Sequence, residues 1–145
     1  MRARAFTVAA GLIAAITIGA PIAPLGAQAA NQTLATVSIP RAVSADGQAL
    51  KPGTYSFRLS ADPVKPVVGQ SANSEKWVEL VQGGQVRGRE LASVVSAADI
   101  GKIVEGTPPA SGASKVQLLK GGDYLRVWIN RGGTHYLVHF GVTAQ

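Results

Sequence analysis

Gly132-Gly133 lies between two runs that sort cleanly into two sets of residues, and no other feature constrains the fold as tightly. Adjacent glycines supply the positive φ angles of a two-residue hairpin turn. That turn pairs Arg131 with Thr134, and the register follows outward. Ile129 then faces Tyr136, Val127 faces Val138 and Leu125 faces Phe140 on one side. Asn130 faces His135, Trp128 faces Leu137 and Arg126 faces His139 on the other, with Tyr124 at the start of the strand. The first set is wholly apolar or aromatic, and a slip of one residue would mix the two. Residues 124–130 and 134–143 are therefore expected as an antiparallel hairpin with one core-facing side.

The remaining chain shows the same period of two and no sustained helical period. Residues 34–39 form a candidate first strand, with Ala35, Val37 and Ile39 on one face. Asp46-Gly47 reads as a turn. Pro52-Gly53 suits a type II turn, with proline fixing its own φ and glycine accepting a positive one. Residues 54–60 alternate, placing Tyr55, Phe57 and Leu59 together. Pro63, Pro66 and Gly69 make 62–73 irregular or a sheet edge. Strands at 76–82 and 85–95 meet at Gly83-Gly84. Two registers are open here. A two-residue turn aligns Val81 with Val86 and sets Arg87 and Arg89 on the face of Val78 and Leu80. A three-residue loop with a bulge, the favoured form, sets Val86 on that face, Glu79 opposite and pairing Arg89, and a bend at Gly88. Residues 96–114 form a long connection, expected to hold a short strand or helical turn near Ile100 to Val104 and a mobile tail over 105–114. Residues 115–119 read as another strand.

The amino-terminal segment has a different composition. Arg2 and Arg4 precede an uncharged apolar run of 16 residues over 5–20, Pro21 and Pro24 break any helix, and Ala27-Gln28-Ala29 follows. This is the tripartite pattern of a cleavable signal peptide, assigned to 1–29. The run is shorter than the ~20 residues that span a bilayer, so no stable membrane span is expected after cleavage. The localisation expected is export, to the periplasm or the medium, with 30–145 as a single β-domain. Loss of Arg2 and Arg4 leaves twelve Lys/Arg against eight Asp/Glu, a net charge of about +4 in place of +6. The basic residues are dispersed, unlike the clustered stripe of a nucleic-acid binder, so nucleic acid is not an expected partner. The chain has no cysteine, so an exported domain of this length must hold itself by sheet pairing and apolar packing.

Sets of catalytic residues are missing from the sequence. His135 and His139, the two histidines, would lie ~13 Å apart along one strand and could not share a metal. No His-Glu-x-x-His, calcium-loop or Gly-x-Ser-x-Gly pattern occurs. The glycine pairs read as hairpin turns, since no helix follows them to make a phosphate site. Neither a cofactor nor enzymatic activity is expected.

Leu50-Lys51-Pro52-Gly53-Thr54-Tyr55 resembles the strand entry common in transthyretin-like and carboxypeptidase-regulatory β-sandwich modules of exported proteins. The chain from residue 30, with its Trp77-Val78-Glu79, Gly88-Arg89-Glu90-Leu91-Ala92 and Tyr124-x-Arg126-Val127-Trp128 segments, is similar to uncharacterised small exported bacterial β-domain proteins. The resemblance implies export and a β fold, and nothing about mechanism.

The expected fold is an all-β antiparallel sandwich or open barrel of about seven or eight short strands, behind a cleavable signal helix. The hairpin face of Tyr124, Arg126, Trp128, Asn130, His135, Leu137 and His139 is the candidate partner-binding surface. Aromatic rings beside arginine and asparagine suit stacking on a sugar or gripping a protein. The opposing expectation is that the 96–114 connection buries Trp128 and Leu137. The function expected is a non-catalytic envelope module that binds a protein or glycan. A small-ligand carrier with a barrel cavity is the alternative, and a hydrolase the least favoured. Oligomeric state is left open.

Overall fold

A computed structural model describes residues 31–144. The signal segment assigned to 1–29 lies outside the described residues. Among the described residues, nine strands join one antiparallel sheet: β1 (Thr33–Ile39), β2 (Val43–Ala45), β3 (Gln48–Leu50), β4 (Gly53–Leu59), β5 (Glu75–Gln82), β6 (Gln85–Ser96), β7 (Ser114–Leu119), β8 (Tyr124–Arg131) and β9 (Thr134–Val142). A four-residue helix, α1 (Ile100–Ile103), interrupts the connection between β6 and β7, and a 3-10 turn (Lys120–Gly122) precedes β8. No helix among the described residues is long and apolar enough to cross a membrane.

The seven longer strands run in the order β1-β4-β5-β6-β9-β8-β7, each antiparallel to its neighbours. An odd number of alternating strands leaves the two outermost, β1 and β7, pointing the same way. They approach each other without a hydrogen-bonded ladder, so the barrel stays open at that seam. Inside it lie Leu34, Val37, Ile39, Tyr55, Phe57, Leu80, Leu125, Val127, Ile129, Val138 and Phe140, all buried. The Phe57 and Phe140 rings meet edge to face at 6.2 Å.

The terminal hairpin has the expected register at every pair from Leu125↔Phe140 to Arg131↔Thr134. Its turn has φ of 61° at Gly132 and 88° at Gly133, values that side-chain-bearing residues rarely adopt. Two other elements differ from expectation. In β1 an irregularity between Thr33 and Ala35 brings Leu34 inward, so Ala35 is only partly buried. The β5–β6 hairpin combines a two-residue turn, Gln82↔Gln85, with a bulge one pair later, so that Leu80 faces Gly88 and Glu79 faces Arg89. Val86 therefore lies beside Val81 and is 50% exposed, not on the face of Val78 and Leu80. Glu79 opposes Arg89, yet its ion pair is with Arg58 across the β4–β5 pair.

The wedge filled by β2 and β3 was not evident in the sequence beyond its Asp46-Gly47 turn. Residues 134–138 of β9 pair with β6, but Gly141 and Val142 pair with β2. The β2–β3 hairpin thus occupies the space where β6 leaves β9. Gly88 permits this contact: a Cβ there would lie 3.3 Å from Leu50 Cδ2 and 3.5 Å from the Ala45 Cβ.

Candidate functional site

The outer face of β8 and β9 splits into a covered part and an open part. The covered part begins at Trp128 and Leu137, cross-strand neighbours pointing away from the barrel. Two large apolar side chains on an outer face favour a cover. The chain supplies one by returning over them: α1 delivers Ile100, the next residues deliver Val104, and β6 adds Val95. These five residues form a second, smaller core outside the barrel.

Polar groups beneath the cover are satisfied locally. Trp128 Nε1 donates to His135 Nδ1 at 3.0 Å. Asn130 Nδ2 donates to the Pro109 carbonyl at 2.9 Å, while its Oδ1 accepts from the Gly133 amide at 3.0 Å. The Asn130 backbone exchanges two further hydrogen bonds with Gly112 and Ala113. The tail over 105–114, expected to be mobile, is therefore tied to β8 at several points, and its last residue, Ser114, opens β7. Among the described residues, every buried side-chain nitrogen or oxygen has a partner.

Four of the seven residues expected on an open face, Trp128, Asn130, His135 and Leu137, are thus buried. The physical reason is the apolar pair at the middle of that face, which draws the connection down onto it. As a free surface the patch is corrected to its far end: Tyr124, 45% exposed, half-buried Arg126 and exposed His139.

Arg126 and His139 lie side by side across the β8–β9 pair, and Arg126 Nε donates to His139 Nε2 at 3.0 Å. Arg126 Nη1 reaches Gln117 Oε1 on β7 at 3.4 Å. Two shallow grooves meet at this couple. One is bounded by Leu119, Lys120 and Tyr124. The other runs between β6 and α1, past Ser93, Ile103 and Val104, to Glu75 and Gln70. Partial desolvation of its ring against the sheet, then the nearby Arg126 charge, push the pKa of the otherwise exposed His139 below its ordinary value. Burial alone does the same to His135.

The outer sheet carries a second aromatic site that the sequence reading did not single out. Trp77 on β5 is half-buried, and the Arg89 guanidinium lies 4.2 Å from its ring centroid. Arg89 is also held by Asp62 at 3.0 Å and by Asp46 at 3.6 Å. The signal was the alternation of β5, which turns Trp77 outward once Val78 and Leu80 face the core. Lys120 and Gln117 left no such trace, because their roles depend on how the 3-10 turn and β7 sit beside β8. Among the described residues, no group of three or more His, Cys, Asp or Glu is placed to hold a metal ion.

No protein-family model, curated protein or solved structure matches the chain.

Proposed function

We propose that the protein is a non-catalytic binding module exported to the bacterial cell envelope, and that a glycan or an envelope protein docks on the open end of the β8–β9 face. The observation that carries this reading is the junction of two grooves at Arg126 and His139, with Tyr124 exposed beside it. An exposed tyrosine and a half-buried arginine are the residue types that supply most binding energy at protein and sugar interfaces. The buried Trp128 cluster supports the reading indirectly. It fixes β8 and β9 from above, so the residues at the open end need little ordering on binding. Phe57 and Phe140 fill the middle of the barrel, which favours the outer surface over the interior as the place of binding.

The test compares what the protein and its Tyr124→Ala/Arg126→Ala variant retain from host envelope extract. Loss of a specific partner by the variant, with its urea midpoint unchanged, is the expected result. An identical set of partners on both proteins contradicts the proposal.

A further inference from the structure

Among the described residues, no carboxylate lies at ion-pair distance from Arg126. Two other arginines of the outer sheet are paired: Arg58 with Glu79, and Arg89 with Asp62 and Asp46. Arg126 donates instead to His139 and Gln117. An arginine Nε always carries its proton, so the His139 Nε2 that accepts from it is unprotonated and the ring is neutral. Gln117 is neutral as well. The Nη2 nitrogen of Arg126 retains two N–H donors with no side-chain acceptor among the described residues.

A second cation borders the same groove. Lys120 has a φ of 50°, uncommon for a residue with a side chain, and its ammonium lies 5.2 Å from the Tyr124 ring centroid. Neither it nor Arg126 has a carboxylate at ion-pair distance among the described residues. The groove lining of Leu119, Lys120, Tyr124, Arg126 and His139 contains no acidic side chain. Two cations lining one groove that has no acidic side chain raise its local potential. A ligand oxyanion lowers that potential and meets a guanidinium already held through Nε and Nη1.

We propose that this groove binds an oxyanion carried on an envelope saccharide, a carboxylate or a phosphate ester, with Arg126 Nη2 and Lys120 Nζ as donors and the Tyr124 ring beside them. This rests on the reading of the face as a binding surface and adds the charge of the ligand. Gln117 and His139 are positioning residues, since their hydrogen bonds to Nη1 and Nε fix the guanidinium and leave Nη2 as its free donor.

Calorimetric titration at low salt tests the inference with three probes: an oligogalacturonate, a glycerol-phosphate oligomer and an uncharged maltooligosaccharide. At least one charged probe is expected to bind and to weaken as salt rises, as a screened charge pair must. Arg126→Gln and Lys120→Gln should each lower its affinity about tenfold, the loss of one charge-assisted hydrogen bond. Urea midpoints equal to that of the unsubstituted protein would show that both variants fold. Carboxylate and phosphate sources are separated by which charged probe binds. Equal binding of the uncharged probe, silence of both charged probes, or indifference to both substitutions overturns the inference. Failure of the binding-surface reading is distinct: it shows as unchanged partner retention by Tyr124→Ala/Arg126→Ala, whatever the charge of the ligand.

Discussion

His135 accepts the Trp128 N–H and His139 accepts an Arg126 N–H, so both rings are neutral in the folded protein. Protonation would set an N–H against an N–H at each contact. The folded pKa of each histidine lies below the ordinary value of ~6.5 that the unfolded chain retains. Below pH ~6.5 the unfolded chain therefore binds more protons than the folded one, and stability rises with pH across that window. This contribution is full above pH ~6.5 and is lost as the pH falls toward the folded values. Urea midpoints are expected to drop between about pH 7.5 and pH 5, and a His135→Gln/His139→Gln variant should show a shallower drop. An equal or steeper drop in the variant contradicts this account. Trp128 gives a second residue-scale prediction. It is fully buried, so Trp128→Ala should cost about 3–5 kcal/mol of unfolding free energy. Trp128→Phe should cost less, because much of the packing remains and only the bond to His135 goes. Trp128 substitution is accordingly a probe of stability and not of binding.

Cover and wedge are the two elements whose placement decides what the surface presents. Replacing 98–112 by a short Gly/Ser link would strip Ile100 and Val104 from Trp128 and Leu137. The expected result is red-shifted tryptophan emission, gain of an apolar dye and loss of stability. Unchanged emission would mean that the cover does not shield Trp128. At the wedge, Gly88→Val would drive a side chain into Leu50 and Ala45 and should cost about 1–3 kcal/mol by overpacking. The β8–β9 hairpin was legible in the sequence because its turn and its two residue sets agree on one register. The β4 strand was legible from its alternation alone: the type II turn expected at Pro52-Gly53 is absent, because Gly53, with φ of 159°, is extended and opens β4. The β5–β6 hairpin was half legible: Glu79 opposite Arg89 was readable, but the choice between turn and bulge was not, because Val86 suits either face. The wedge was not readable. Strands of three residues carry too little pattern, and Gly88 becomes meaningful only with Leu50 against it. The Trp128 face shows the limit most clearly. Local alternation places Trp128 and Leu137 opposite the core face, but only the path of a distant connection decides whether that side is open.

At the scale of the molecule, the chain builds two cores on opposite sides of one sheet, without disulfides. The larger fills the open barrel, and the smaller sits beneath the β6–β7 connection. Between the edge of that cover and the 3-10 turn, one stretch of the β8–β9 face stays open, and there Arg126 and Lys120, without an ion-pair partner among the described residues, meet Tyr124 and His139. The proposed binding role thus depends on a boundary: the same face is core at Trp128 and surface at Arg126. Hydroxyl-radical footprinting of the protein, alone and with the ligand or envelope partner it retains, tests that boundary most directly. Protection is predicted at Tyr124 and His139, with Trp128 and His135 unreactive in both states. Protection confined to other surfaces, such as Val86 or Val67 and Val68, or strong labelling of Trp128 in the free protein, would contradict it.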